Sequence, residues 1–428
     1  MSDAQVGLDL PYGAGTLPLS IPRSNLLTVM RPPDVATVAD PASEVERALS
    51  SPVGTAPLGA LLHTNQRILI IIDDKTRATP QSVILPLLVR HIRAKVPDAD
   101  ITFLIANGTH VPMSPEEIAE RVGGDLARQY RFVNHDCTKV EDLVDLGTTP
   151  NGTPIQINRL ATEADLVLAV GGVVPHPLAG WGGGAKIIQP GICSRETTAA
   201  THDLETISAV SHFGRLSNPM RLEIEEIVKK VPLHFMVNVI FDSGGQLVGV
   251  VAGDPIASHH AAVDLARSVW EVPVTALADI VVVSSHPADW DFWQAMKGLY
   301  AAELVVKRGG DILIVTPCPE SYTLSQEHVE TQARLRGMPA KQVLKEARCM
   351  GITDGAGVNV TTFMARIKEL AFVQVFSPGI TDYDMGILGF ERATSVEDGL
   401  RRAFERQGDK ARVTVITHGG DILPVWPG

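Results

Sequence analysis

The stretch Arg67-Ile68-Leu69-Ile70-Ile71-Ile72-Asp73-Asp74-Lys75-Thr76-Arg77 decides the fold. Five consecutive apolar residues, four of them β-branched, show no alternation, so the segment reads as a strand buried on both faces. It runs straight into a charged turn, and Gln81–Lys95 follows with apolar residues at helical spacing. This strand, loop and helix is the unit of a parallel sheet. It repeats at Ile101–Ala106, followed by Asn107-Gly108-Thr109-His110 and a helix predicted to start at Ser114, with Pro115 in its first position and Glu117 closing a capping box. A third unit has the strand Leu166–Val170, a glycine- and proline-rich loop over Gly171–Gly191, and a predicted helix over Arg195–Ser208. In open parallel sheets, ligands lie outside the carboxyl ends of the strands. Asp74, His110 and the 171–191 loop are therefore expected to share one cleft.

A second series begins near Ala278. Apolar runs at Ile280–Ser284, Asp311–Thr316, Phe372–Phe376 and Arg412–Ile416 alternate with helical patterns at Phe292–Val306, Lys341–Met350 and Val396–Gln407. The expected fold class is therefore α/β: two α/β domains with mainly parallel sheets and the active-site cleft between them. The boundary falls near Val272–Ala276, after the helical stretch His259–Trp270 and the breaker Pro273. This divides the chain into an N-terminal domain of residues 1–274, a C-terminal domain of 275–418, and a tail of 419–428 that crosses back to the first. Residues 1–66, rich in Pro, Gly and Ser, read as an extended lead-in with one helix at Ala42–Leu49.

The chain has 428 residues, more than one core usually serves. Its 45% hydrophobic and 20% charged composition is that of a folded α/β protein. A formal net charge of -12 repels polyanions, so no nucleic-acid partner is expected. The first residues lack a basic start and an apolar centre, and no apolar run approaches the roughly 20 residues of a membrane helix. The expectation is a cytoplasmic protein without a membrane partner. Four scattered cysteines, Cys137, Cys193, Cys318 and Cys349, form no CxxC and suit reduced thiols.

The loop from Gly171 to Lys186 contains Gly180-Trp181-Gly182-Gly183-Gly184-Ala185-Lys186. Glycines let backbone amides approach an anion, and a lysine ending such a loop commonly meets phosphate. The GxxxxGK[ST] pattern of a P-loop fails here: Ala185 precedes the lysine and Ile187 follows it, which removes the magnesium-binding hydroxyl. Of 13 histidines, His110, His176 and His202 sit beside glycine, proline or threonine and read as loop residues. Histidine either shuttles protons near neutral pH or ligates a metal. The trio matches no zinc signature, so spacing alone leaves both roles open.

Four blocks, Asp74-Lys75-Thr76-Arg77, Gly108-Thr109-His110, Pro175-His176 through Lys186 to Thr201-His202, and Trp293-Gln294-Ala295-Met296-Lys297, give nearly the whole chain a resemblance to the nickel-dependent lactate racemase family. The resemblance implies a nickel-pincer nucleotide, a pyridinium mononucleotide joined to Lys186 through a thioamide, with His202 as the protein's nickel ligand. It implies that Asp74, Thr76, Gly182, Gly183 and Gly184 line the cofactor's site, with Asp74 also orienting a histidine or Arg77. His110 and His176 would be the acid-base pair, Arg77 and Lys297 the grip on a substrate carboxylate, and Trp293 and Gln294 further pocket wall. The implied reaction is inversion at C2 of a small 2-hydroxy acid by way of a planar keto acid. Each histidine would serve one enantiomer. The implied partners are that substrate and the biosynthetic enzymes that load the cofactor. Val111 and Trp293 depart from the arginine and tyrosine usual in lactate racemases, which leaves lactate as one candidate among hydroxy acids. Two other readings use the same residues: a metal- or phosphate-dependent hydrolase, and a non-catalytic homologue that binds a nucleotide or hydroxy acid.

Overall fold

A computed structural model describes residues 4–202, 210–323 and 325–427 of the chain. The run that opened the sequence becomes the central strand of a six-stranded sheet. Its order is Leu247–Gly253, Phe235–Phe241, Leu166–Gly172, Arg67–Asp73, Asp100–Ala106, Arg131–Asn134. All neighbours are parallel except Leu247–Gly253, which runs antiparallel to Phe235–Phe241. Residues Ile68 to Ile72 are at most 2% exposed, as a run apolar on both faces requires.

From Arg67–Asp73 the chain first builds outward through Asp100–Ala106, then returns on the other side with Leu166–Gly172. This reversal opens a crevice at the carboxyl ends of the two adjacent strands. The 74–77 turn and the glycine loop begin there.

A second six-stranded sheet is wholly parallel, in the order Glu391–Arg392, Phe372–Phe376, Val306–Val315, Ala278–Ser284, Val413–Ile416, Leu26–Met30. Its reversal lies between Ala278–Ser284 and Val413–Ile416. The segments leaving those two strands carry Trp293 to Lys297 and His418 to Asp421. Both crevices face the same interdomain cleft, which residues from both halves of the chain line.

The α/β class with mainly parallel sheets is as expected, but the first residues are not a lead-in. Gln5–Tyr12 and Gly15–Pro22 form a hairpin, and Leu26–Met30 is an edge strand of the second sheet. A division at 274 therefore does not describe sheet membership. Leu10, Leu19 and Ile21 pack with Ile280, Val282 and Val413 in the second core. Prolines at 11, 18 and 22 masked the alternation of these short strands, because proline inside a run argues against a strand unless it lies at an edge. The helix Pro41–Ser50 coincides with the predicted one. At the other end Leu423–Val425 pairs in parallel with Glu271–Pro273, beside the expected boundary.

The helix at Pro115–Val122 carries both halves of its predicted capping box. The helix predicted over Arg195–Ser208 is Arg195–His202, and the rest of that prediction lies outside the described residues. His202 thus lies on a helix, not in a loop. No helix among the described residues is long and apolar enough to cross a membrane.

Candidate active site

The cleft between the sheets encloses a cavity of about 180 Å³. Its wall holds Asp74, Arg77, His110, His176, Gly182, Gly183, Lys186 and His202 from the first half of the chain, and Trp293, Gln294 and Lys297 from the second. Thr76 and Gly184 stand just behind it. Thr76 Oγ1 donates to Asp74 Oδ1 at 2.6 Å, and the Gly184 amide donates to Asn238 Oδ1 at 3.1 Å. Val111 is 47% exposed and is not part of the wall.

Asp74, 3% exposed at the end of the central strand, accepts a 2.6 Å hydrogen bond from His110 Nδ1. Burial would raise its carboxyl, but His110 and Arg77 overcome this and hold it well below the usual carboxylate range. The bond places the His110 proton on Nδ1 and leaves Nε2 with a free lone pair. His176 has the opposite arrangement. The amides of Leu178 and Ala179 both point at its Nδ1, at 3.2 and 3.1 Å, so the neutral ring carries its proton on Nε2. Burial, then the charges of Lys186, Arg77 and Lys297, keep this ring well below the ordinary histidine pKa.

Lys186 sits on a short 3-10 turn, Gly184–Ile187, entered through two positive-φ glycines, Gly183 at φ 73° and Gly184, the turn's first residue, at φ 56°. A Cβ at Gly184 would meet His259 at 2.5 Å, so the turn presses against its floor in a way only glycine permits. The Lys186 amine makes no hydrogen bond among the described residues. Burial, then Arg77, Arg221 and Lys297, push its pKa well below the usual lysine value, against Asp74. Lys297 is pushed down to about 8 by burial and Arg77. The cleft is therefore crowded with cations, and its two wall carboxylates are already engaged, Asp74 with His110 and Asp73 with Arg121. Such a site suits an anion.

The wall also fits the implied cofactor. His202 donates from Nδ1 to the carbonyl of Thr198 at 2.8 Å, leaving Nε2 as a lone-pair donor, and burial lowers its pKa to about 4, so the ring is neutral at physiological pH. A backbone carbonyl holding one ring nitrogen in this way orients the other toward a metal. Among the described residues no group of three or more His, Cys, Asp or Glu could hold a metal unaided. A metal at His202 would accordingly need most of its donors from a bound group, and the Lys186 amine lines the same cavity.

Sequence reasoning passed over Arg221, His259 and Asp421, which lie outside the four motif blocks. His259 bonds the Gly182 carbonyl through Nε2 at 2.7 Å. Burial raises the Asp421 carboxyl against the opposing charges of Lys297, His286 and Arg77. A lone arginine on a helix or a histidine inside an apolar stretch gives no local signal.

Two mainly parallel α/β sheets meet at their carboxyl ends, with paired histidines, a glycine-borne lysine and clustered cations between them, the arrangement of a two-domain α/β enzyme whose cleft suits an anion. Family models described as the lactate racemase N-terminal domain and C-terminal domain match residues 12–214 and 274–423. A lactate racemase of Lactiplantibacillus plantarum is 31% identical over 98% of this chain and 99% of that protein. One of Thermoanaerobacterium thermosaccharolyticum is 34% identical over 74% of this chain and 75% of its own. The solved structure of the lactate racemase apoprotein from the latter organism superposes with a TM-score of 0.88 at 28% identity, covering 98% of this chain and 100% of that one. A crystal structure of a Thermotoga maritima protein shares the fold, with a TM-score of 0.71 at 19% identity over 90% of this chain and 98% of that one. The chain belongs to the lactate racemase family and is an isomerase, a racemase.

Proposed function

We propose that this racemase inverts the hydroxyl-bearing carbon of a small 2-hydroxy acid, lactate or a near relative, with a nickel-pincer nucleotide joined to Lys186 and its nickel held by His202. The observation that carries this reading is the convergence of His110, His176, Lys186 and His202 on one cation-rich cavity. When bound, the nucleotide supplies the hydride acceptor and donor that a carbon acid as weak as a hydroxy acid needs. Arg77 and Lys297 hold the carboxylate by charge-assisted bonds while the hydroxyl carbon turns between faces. His110, its proton fixed on Nδ1 by Asp74, takes the hydroxyl proton at Nε2. His176 faces the cavity from the neighbouring loop and presents Nε2–H to the substrate oxygen. Cytoplasmic location, and dependence on cofactor-biosynthetic enzymes for loading, are part of the same proposal, as is the absence of nucleic-acid and membrane partners.

The test is isotopic. Substrate deuterated at the hydroxyl-bearing carbon should react more slowly and keep its deuterium in the inverted product. Washout of that deuterium into water during turnover would show proton abstraction from carbon and defeat this mechanism. Intact mass and nickel analysis of protein made with and without the biosynthetic enzymes should show an adduct on Lys186 only in the first case.

A further inference from the structure

Behind the Lys186 loop lies a charge the reaction does not use. Arg221, on the helix Pro219–Val228, is 1% exposed. Its Nε donates to the carbonyl of Ala179 at 3.2 Å, one terminal nitrogen donates to the carbonyl of Trp181, and the other terminal nitrogen has no partner. Among the described residues no carboxylate lies within ion-pair distance of it. Glu225, whose charge acts on it most, is engaged with His260 at 3.0 Å. A guanidinium buried without a counter-ion is costly, and a methionine would fill the same space more cheaply.

The surrounding backbone shows what the charge holds. Trp181 Nε1 donates to the carbonyl of Gly214 at 2.9 Å, and the Gly214 amide donates to the carbonyl of Gly180 at 3.1 Å. Gly180 is left-handed, and a side chain there would collide with the backbone of Arg215. Asn218 caps the helix by accepting the Arg221 amide at 2.9 Å. Residues 212–221 therefore clasp residues 179–182 from the side away from the cleft. Lys186 lies four residues beyond the clasp.

On the reading that Lys186 carries the cofactor, we propose that Arg221 is a positioning residue for that lysine, gripping Ala179 and Trp181 so that the glycine turn delivers the amine into the cleft. Its charge supports the same task. The groups acting on the Lys186 amine are Arg77, Arg221 and Lys297, opposed by Asp74, in a wall shared with His176 and His202. Removing one buried cation from this set favours the protonated, unreactive amine.

The test uses Arg221→Met, which keeps volume and removes both charge and clasp, and Arg221→Lys, which keeps the charge alone. In cofactor-free full-length protein, acetylation of Lys186 by an N-hydroxysuccinimide ester is followed by peptide mass against exposed lysines of the same sample. Arg221→Met should slow Lys186 labelling several-fold at neutral pH and move its pH midpoint upward, while the exposed lysines are unchanged. Arg221→Lys should restore the midpoint toward wild type but not full loading when the protein is made with the biosynthetic enzymes. A folded Arg221→Met protein with wild-type labelling and loading would overturn the proposal. If that variant does not fold, full loading of Arg221→Lys overturns it and reduced loading upholds it. Wild-type protein that is never modified at Lys186 would defeat the parent reading instead, and leaves the labelling arm to judge Arg221 separately.

Discussion

The loops bearing His110 and His176 project from neighbouring regions of one sheet into one cavity, yet their hydrogen bonds are opposite in sense. His110 gives its Nδ1 proton to a buried carboxylate at 2.6 Å; His176 receives two backbone amides on the same atom. At Nδ1 the first ring is a hydrogen-bond donor and the second an acceptor. A racemase must treat two faces of one carbon alike over a full cycle, so the expectation was of two equivalent bases. The structure shows instead that equivalence is not built into the resting site. For His176 to accept a proton at Nε2, the ring or the Leu178 and Ala179 amides must first shift. Strand ends and backbone turns at a switch point can place two imidazoles symmetrically while giving them unlike partners.

The largest test of this comparison removes either ring. His110→Ala and His176→Ala should each lower kcat/KM by about 10²–10⁴-fold, the range for a positioned acid or base. Chiral chromatography of both reaction directions checks this, and near-full turnover by either variant would remove that ring from the pair. For a substrate with one stereocentre the enantiomers have equal free energy, so kcat/KM must fall equally in both directions. Inequality of the two rings then shows only in how each loss divides between kcat and KM.

Asp74→Asn sharpens the contrast, because it disturbs the tautomer of His110 and leaves the backbone partners of His176 in place. A loss of about 10²–10⁴-fold is expected, no larger than removal of the ring itself. A loss no larger than twofold would mean that the carboxylate does not set the His110 proton.

Acidity offers a smaller effect. In the proposed role Lys297 would grip the carboxylate only while protonated, and its pKa is lowered to about 8, so that grip would be present below that pH and lost as pH rises through it. KM should climb several-fold between about pH 8 and pH 9.5. Lys297→Met should have a high KM at every pH and lack the climb; a wild-type KM flat to pH 9.5 would show that Lys297 is not part of the grip.

The smallest effects concern the two departures from the family pattern. Trp293 lines the cavity and stacks on His328, ring centroids 4.2 Å apart and planes 9° apart, while Val111 lies outside the wall. Trp293→Tyr should change the preference between hydroxy acids of different side chain by about 10-fold, the scale of a small change in pocket volume. Val111→Arg should leave that preference within about twofold, since it adds charge outside the cavity wall. Competition assays with paired substrates read both, and a larger effect at Val111 would reverse their assigned importance.

The sequence by itself determined the parallel-sheet class, because runs such as Ile68 to Ile72 and Ile280 to Val283 can be buried only between layers. It also determined the cleft's chemical inventory, since Asp74, His110, His176 and Lys186 lie in loops directly after strands or in the glycine segment, where short-range pattern is informative. It did not reveal that residues 5–30 belong to the second sheet, because prolines blur their alternation and pairing between Leu26–Met30 and Val413–Ile416 spans nearly the whole chain. It placed His202 in a loop, although the residue lies on the helix that starts at Arg195 and its ring is oriented by the Thr198 carbonyl one turn back. Only the tertiary structure decided the proton positions of the two histidines and the presence of Arg221 behind the lysine turn. Those depend on which amide, carbonyl or carboxylate meets each nitrogen across the fold, and such meetings leave no period or spacing in the chain.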